Sequence, residues 1–448
     1  MSGIAKVLLE MGYVVTGSDL KESRNTLSLR KQGAKIFIGH RPDNVGDADL
    51  VVVSSAIPKN NREMKCALRR GIPVIPRAEM LAILGDGRTN VAVAGTHGKT
   101  TTTSMISWVL EKNGLDPTFL IGGELNDIGS NAKYGRGKFF IVEADESDGS
   151  LLCLKPHTMV VTNIEADHLD YYNSLDEIEE VFFKFVSKLP PDGRGIVCGD
   201  HPGVKKLIRR ADKEYIIYGM DKNSDFYAED VELGGFGSSF EVYGGGKRLG
   251  KVSLRLPGVH NVYNALATIA LSTFIGLDFT AIADALSQFS GVQRRFQLVG
   301  SCGDVTLIDD YAHHPTEVRA TIDATRDGDW KRIICIFQPH RFSRTRFLGE
   351  DFGEAFDEAD LVILTDIYAA GEQPIPGVSG KLILNALLSR NPRKQVIYLP
   401  RKAEVERFLT RVVRKGDLVL IMGAGDIWTV GEWLLNFLRG REPLGVGA

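Results

Sequence analysis

The amino-acid sequence predicts an α/β protein built from parallel sheets covered by helices, and three observations predict it. Short apolar runs alternate with amphipathic stretches along most of the chain, the pattern of strands feeding crossover helices. The 48 glycines exceed the usual share of about 7%, and they cluster where predicted strands end, as ligand loops do. The length of 448 residues, at roughly 150 residues per domain, predicts about three domains.

The first domain, 1–87, reads as a helix from Ile4 to Glu10, a glycine stop at Gly12 and a strand Tyr13–Thr16. A helix near 24–32 follows, then strands Lys35–Ile38, Leu50–Val53 and Pro73–Pro76. The polar run Gly85-Asp-Gly-Arg-Thr89 has the composition of a linker. The second domain, 88–297, opens with a buried strand Asn90–Ala94, a glycine turn and a helix from about Thr100. Strands Phe139–Val142 and Met159–Thr162 come next, and Gly234–Gly250 reads as antiparallel hairpins ahead of a helix at 260–276. The third domain, 298–448, alternates again, with strands Val305–Ile308, Arg332–Phe337, Leu361–Thr365, Gln395–Tyr398 and Leu418–Met422.

Composition excludes several classes of function. Lys plus Arg (54) nearly balances Asp plus Glu (57), so the basic surplus of a general nucleic-acid binder is missing. The five cysteines are dispersed, without a C-x-x-C pair, which predicts buried, reduced thiols in a cytoplasmic protein. The longest apolar stretch, Ala265–Leu277, is about 13 residues against the about 20 that cross a bilayer, so it predicts a core helix. Lys6 and Glu10 interrupt the first apolar stretch, and no basic run precedes it, unlike a signal peptide.

Four motifs carry chemistry. Gly95-Thr96-His97-Gly98-Lys99-Thr100-Thr101 joins a strand to a helix. Backbone N–H groups at such a turn, with the helix dipole, cradle phosphate. Lys99 is placed to meet the β and γ phosphates and the Thr100 hydroxyl to ligate Mg²⁺, although the strict phosphate-loop pattern has glycine where Val93 stands. Glu143-Ala-Asp145-Glu146-Ser147-Asp148 closes an apolar strand with hard oxygen donors of the kind Mg²⁺ takes. Thr162-Asn163-Ile-Glu165-Ala-Asp167-His168-Leu-Asp170 closes the next one. In the third domain, Asp309-Asp310-Tyr311-Ala-His313-His314-Pro315 and Gln338-Pro339-His340-Arg341-Phe-Ser-Arg344-Thr-Arg346 follow strands, and guanidinium forks suit carboxylates and phosphates.

In this order, with His260-Asn261-Val-Tyr-Asn264, the motifs resemble those of the Mur ligase family over almost the whole chain. The resemblance implies a Rossmann-like N-terminal domain holding a UDP-sugar, a central phosphate-loop ATPase-type parallel sheet with extra antiparallel strands, and a C-terminal Rossmann-like domain for the amino acid. It implies that ATP phosphorylates the lactyl carboxylate of UDP-N-acetylmuramate and that the amine of L-alanine then attacks the acyl phosphate. Glu146-Ser147-Asp148 favours this alanine-adding branch over the murein-peptide recycling branch, which tends to carry Tyr after that Glu.

Carried over residue by residue, Gly95, Thr96, His97, Gly98, Lys99, Thr100 and Thr101 hold the nucleotide, with Asn264, Arg294, Arg295 and Asp310 also around it. Thr100, Glu143 and His168 match the magnesium positions. Asp19, Tyr311, His340, Arg341 and Arg344 fall to the substrates, and Lys99, His313 and Arg344 to catalysis. The family's first strand and G-x-G-G-x-G loop normally precede Met1-Ser-Gly-Ile-Ala5. Their absence predicts that Met1 is an internal methionine, with about 15–20 residues ahead of it in the natural protein. Two readings from other classes compete. A regulatory phosphate-loop ATPase leaves the His and Arg loops at 309–346 without purpose, and a dehydrogenase lacks an intact G-x-G-x-x-G.

Overall fold

The computed structural model describes residues 1–169, 171–326 and 328–440. Asp170, which ends the third motif, and 441–448, which end the third predicted domain, lie outside the described residues. The chain packs into two units. The first holds Met1–Ile164, Glu179–Tyr218 and Ala267–Ala285; the second holds Glu165–Ile178, Gly219–Leu266 and the chain from Leu286 on.

The first unit is organised around the strand Thr89–Ala94, whose last four residues are buried. It runs parallel to Phe139–Glu143 on one side and to Thr158–Val161 on the other. The register places Val93 opposite Glu143 and Ala94 opposite Val161, so the three strands end at one level. Continuous apolar runs suit strands covered on both faces. Arg194–Cys198 and Tyr215–Gly219 extend the sheet in parallel beyond Thr158–Val161. Thr118–Leu125 and the antiparallel Ser130–Lys133 extend it beyond Phe139–Glu143. These four outer strands were not legible as period-two patterns. The helix Lys99–Lys112 buries Thr101 through Leu110, and Trp108 Nε1 donates to the carbonyl of Ala285 at 2.8 Å.

At the chain start, helix Ser2–Glu10 lies against Ser130–Lys133, with Lys6 Nζ donating to Ser130 Oγ at 2.6 Å. Thr16–Asp19 pairs in parallel with Lys35–Ile38, and Val51–Val53 with Val74–Pro76, as two separate pairs. The strand expected at Tyr13–Thr16 therefore begins at Thr16. Its bounds follow the partner strand, with Thr16 opposite Lys35 and Asp19 opposite Ile38, while Tyr13 and Val14 are exposed.

The second unit contains the expected antiparallel meander, Phe226–Gly234, Gly237–Gly244 and Lys247–Leu254. It also holds a six-stranded sheet in the order Gln297–Cys302, Val305–Asp310, Asp417–Met422, Arg332–Phe337, Leu361–Leu364, Val396–Tyr398. Only the first of these runs antiparallel to its neighbour. Val305–Asp310 and Asp417–Met422 are buried throughout, and apolar clusters cover both faces, around Phe337, Phe352 and Phe356 on one and Ile421, Val430 and Leu434 on the other. In such sheets ligands meet the carboxyl ends of the strands.

The helix Val259–Phe274 buries Ala265 through Leu271, as a core helix should. No helix among the described residues is long and apolar enough to cross a membrane. The cysteine expectation needs correcting. All five thiols are free, but only Cys198 and Cys335 are buried, while Cys153 is exposed in the short turn Ser150–Cys153.

Candidate active site

In the first unit the glycine loop is clasped by the end of the neighbouring strand. Asn163 Oδ1 accepts from His97 N at 2.7 Å, and the Asn163 carbonyl accepts from Thr96 N at 3.1 Å. Thr162 Oγ1 donates to the His97 carbonyl at 2.6 Å. Gly95 (φ 139°) has no room for a side chain, because a Cβ there would lie 2.0 Å from Thr162 Oγ1. Gly98 (φ 80°) starts the helix Lys99–Lys112 without a side-chain cap, which leaves the first N–H groups and the positive dipole end to the loop.

Lys99 Nζ donates to Glu146 Oε1 at 2.7 Å and to the carbonyls of Gly95 and Thr96 at 2.6 and 3.1 Å. Burial works to lower its pKa, but the carboxylates of Glu146, Asp145 and Glu143 outweigh burial and hold it above the ordinary lysine value. The ammonium is therefore charged at neutral pH. Glu143 Oε1 accepts from Gly122 N at 2.9 Å. A glycine turn, an uncapped helix start and a lysine form a donor set that fits phosphate. Thr100 at the helix start and the acids at 143–146 are hard oxygen donors that fit magnesium.

In the second unit a buried ion pair anchors the His and Arg loops. Arg344 Nε and Nη2 donate to the two carboxylate oxygens of Asp167 at 3.2 and 3.3 Å. Burial would raise the Asp167 pKa, but Arg344, then His168, His313 and His314, hold it far below the usual carboxylate range. His168 follows with φ 55° and its Nε2 3.6 Å from Asp167. Four rings form a row: Tyr311 edge-on to His313 at 5.5 Å, His313 edge-on to His340 at 5.8 Å, and His340 stacked on Tyr368 at 5.8 Å.

The surrounding groups assign the two histidine tautomers. His313 Nδ1 faces the Tyr311 carbonyl at 2.9 Å and Glu317 at 3.3 Å, both acceptors, so Nδ1 carries the hydrogen and Nε2 the lone pair. His340 Nδ1 faces Arg344 Nη1 at 3.1 Å, a donor, so its hydrogen sits on Nε2. Both rings are neutral at pH 7. Burial pushes His313 down to about 3, and burial with the two nearby arginines pushes His340 down to about 4.

Several residues expected at the ligand have internal partners. The Asp310 carboxylate accepts from Ala312 N at 2.8 Å, Phe296 N at 3.0 Å and Thr321 Oγ1 at 3.2 Å, so it organises its own loop instead of reaching outward. Arg294 donates to Asp309 Oδ2 at 3.0 Å and to the carbonyls of Gly425 and Gly423 at 3.1 and 2.6 Å. Arg295 lies 3.7 Å from Glu317 and against the face of Tyr311. Asn264 donates to Asn261, which bonds the Pro257 carbonyl at 2.7 Å. Arg346 of the three-arginine loop is exposed against Phe347. Asp167 and Tyr368 were missed as site residues. Asp167 stood inside a quoted motif, and Tyr368 lies just past the end of the strand Leu361–Leu364.

A parallel sheet with a Gly-Lys-Thr helix start, and a second sheet with histidines and arginines at its strand ends, define a phosphate-handling α/β enzyme. The chain matches the Mur ligase family catalytic domain over residues 1–89, the Mur ligase middle domain over 93–272 and the Mur ligase glutamate ligase domain over 294–425. It belongs to the Mur ligase family, enzymes that form amide bonds with ATP. It is 49% identical to a UDP-N-acetylmuramate–L-alanine ligase of Pelotomaculum thermopropionicum, over 99% of this chain and 96% of that protein. Among solved structures it is similar to the UDP-N-acetylmuramate-alanine ligase of Thermotoga maritima, with a TM-score of 0.83 and 30% identity over 98% of this chain and 96% of that one. It is also similar to a murein peptide ligase of Psychrobacter arcticus, with a TM-score of 0.73 and 26% identity over 99% and 97% of the two chains.

Proposed function

We propose that this chain joins L-alanine to the lactyl carboxylate of UDP-N-acetylmuramate, converting ATP to ADP and phosphate, as a cytoplasmic step of peptidoglycan synthesis. The observation that carries this reading is near-half identity, over almost the whole of both chains, to a ligase named for these two substrates.

The chemistry divides into two steps. A carboxylate is a poor electrophile, so its oxygen first attacks the γ-phosphorus of ATP; ADP leaves and an acyl phosphate forms. The alanine amine then attacks the acyl carbon, phosphate leaves and an amide forms. The first step brings two anions together, so cations must cancel their charge. Lys99 supplies one at the phosphate loop, and we assign Arg295 as a second. We assign Thr100, Glu143 and His168 to magnesium, which when bound neutralises phosphate charge.

For the amino acid, the two tautomers provide complementary groups. His313 offers a lone pair at Nε2, which suits an amine proton, and His340 offers Nε2–H, which suits a carboxylate. Tyr311 and Arg341 complete our assignment of this end, and Asp19 our assignment of the UDP-sugar end.

Phosphate release measured with ATP, UDP-N-acetylmuramate and one amino acid or peptide at a time tests the reading. Release with L-alanine is expected. Release only with a preformed tripeptide identifies the recycling reaction instead, and release without any UDP-sugar overturns ligation.

A further inference from the structure

One carboxylate in the first unit gathers three donors from two separate stretches of chain, and nothing in the proposed reaction has used it. Glu63 stands in the first turn of the helix Arg62–Arg69, whose start is held by Asn61 Oδ1 accepting from Glu63 N at 2.9 Å and Met64 N at 3.2 Å. Its Oε2 accepts from Ser18 Oγ at 2.5 Å. Its Oε1 accepts from Asn44 Nδ2 at 2.6 Å and from Arg41 N at 3.0 Å. His40 Nδ1 lies 3.0 Å from Ser18 Oγ and 3.5 Å from Glu63. Ser18 and Asp19 end one parallel strand, and His40 to Asn44 follow its partner. Glu63 thus ties both strand ends together, with only 16% of its side chain exposed.

Counting protons gives each bond a direction. A carboxylate only accepts, and a serine has one hydroxyl proton. The short contact points that proton at Glu63 Oε2. Ser18 must then accept at its other contact, so His40 Nδ1 carries the hydrogen. A neutral His40 consequently presents Nε2 as a lone pair, the acceptor a sugar hydroxyl needs. Asp19, beside Ser18 at the exposed strand end, stands where an acid reads a ribose in sheets of this kind.

We propose that Glu63 is the positioning residue of the nucleoside end of the UDP-sugar site, an inference that rests on the substrate reading above. Through Ser18 it holds His40 in the tautomer whose Nε2 accepts a hydroxyl hydrogen, next to Asp19. It touches no ligand itself.

Glu63→Gln keeps the size of the side chain but adds an amide donor, which lets Ser18 turn its proton toward His40 and reverse the tautomer. Calorimetric titration of UDP-N-acetylmuramate should show affinity about tenfold weaker in this variant, the effect of one misdirected hydrogen bond to a charged network. KM for the UDP-sugar should rise alike, with kcat, KM for ATP and KM for alanine within about twofold of the parent. The ¹⁵N shifts of His40 should move from the Nδ1–H to the Nε2–H pattern, which a purely structural role would not produce. Ser18→Ala tests the same relay without touching Glu63; it should weaken binding equally, and the double variant should add little. If the parent binds the UDP-sugar and both single variants bind as tightly, the role of Glu63 is overturned while the substrate reading stands. A parent that binds no UDP-sugar overturns the substrate reading and this inference with it.

Discussion

The guanidinium of Arg344 closes a two-bond fork on the carboxylate of Asp167, with about 7% of each side chain exposed. Arg344 lies on the helix Phe342–Leu348, and Asp167 stands within the third sequence motif, beside His168. A planar fork is what a carboxylate matches best, so the carboxylate that Arg344 meets in this structure is the protein's own. Its third donor, Nη1, sets the tautomer of His340.

Arg344→Lys should therefore lower stability even though charge is kept, because an ammonium cannot make the fork. A loss of about 1.5–3 kcal/mol is expected, read from the urea midpoint. Asp167→Asn, which leaves a guanidinium buried without its counter-charge, should cost more, about 3–5 kcal/mol. Unchanged stability for Arg344→Lys with a collapsed alanine affinity would make the arginine a substrate clamp instead.

Lys99→Ala should abolish phosphate release while ligand-free folding persists. One cation facing the γ-phosphate is lost from a site built on charge cancellation, an effect of about 10²–10³ in kcat. The change also leaves Glu146, 2% exposed, without the ammonium beside it, so a modest fall in melting temperature should accompany it. Turnover within tenfold of the parent would remove Lys99 from the mechanism.

Gly95→Ala should weaken ATP binding without touching any ligand-facing side chain. A Cβ 2.0 Å from Thr162 Oγ1, at φ 139°, must push apart the loop and the strand end that holds the His97 carbonyl. Fluorescent-nucleotide titration reads the effect, and Gly87→Ala, where a Cβ meets open space at φ 76°, controls for backbone strain alone.

Glu143→Gln and His168→Gln should each raise the magnesium concentration at half-maximal turnover, since ligand changes act on ion affinity. An identical magnesium titration in both variants would refute their assignment as ligands.

Stability should fall as pH drops from about 6.5 to 4. Burial depresses His260 to about 4, His313 to about 3 and His340 to about 4. Between those values and the unfolded histidine pKa the unfolded chain binds more protons, so acid favours unfolding. Asp309 and Asp310 oppose them, since burial raises both, Asp309 to about 6, and their contributions are present in acid and lost as pH rises. Three histidines against two aspartates give the net sign. Denaturant midpoints across this range check it, and His313→Asn should flatten the curve.

Much of this protein was determined by its sequence alone. Apolar runs alternating with amphipathic ones dictated the α/β class, and Thr89–Ala94, Phe139–Glu143 and Arg332–Phe337 emerged close to where their apolar patterns placed them. The Gly-Lys-Thr turn announced a phosphate site, because glycine freedom, a helix start and a lysine are local properties. The tertiary structure decided what each polar side chain faces. Asp310 and Arg294 look like ligand groups in sequence, yet they bond backbone and neighbours from distant loops. Arg344 meets Asp167 across 177 positions of chain, and Glu63 reaches Ser18 across 45. Hydrogen-bond direction, tautomer and pKa depend on such long-range neighbours and on burial, and a linear pattern carries neither.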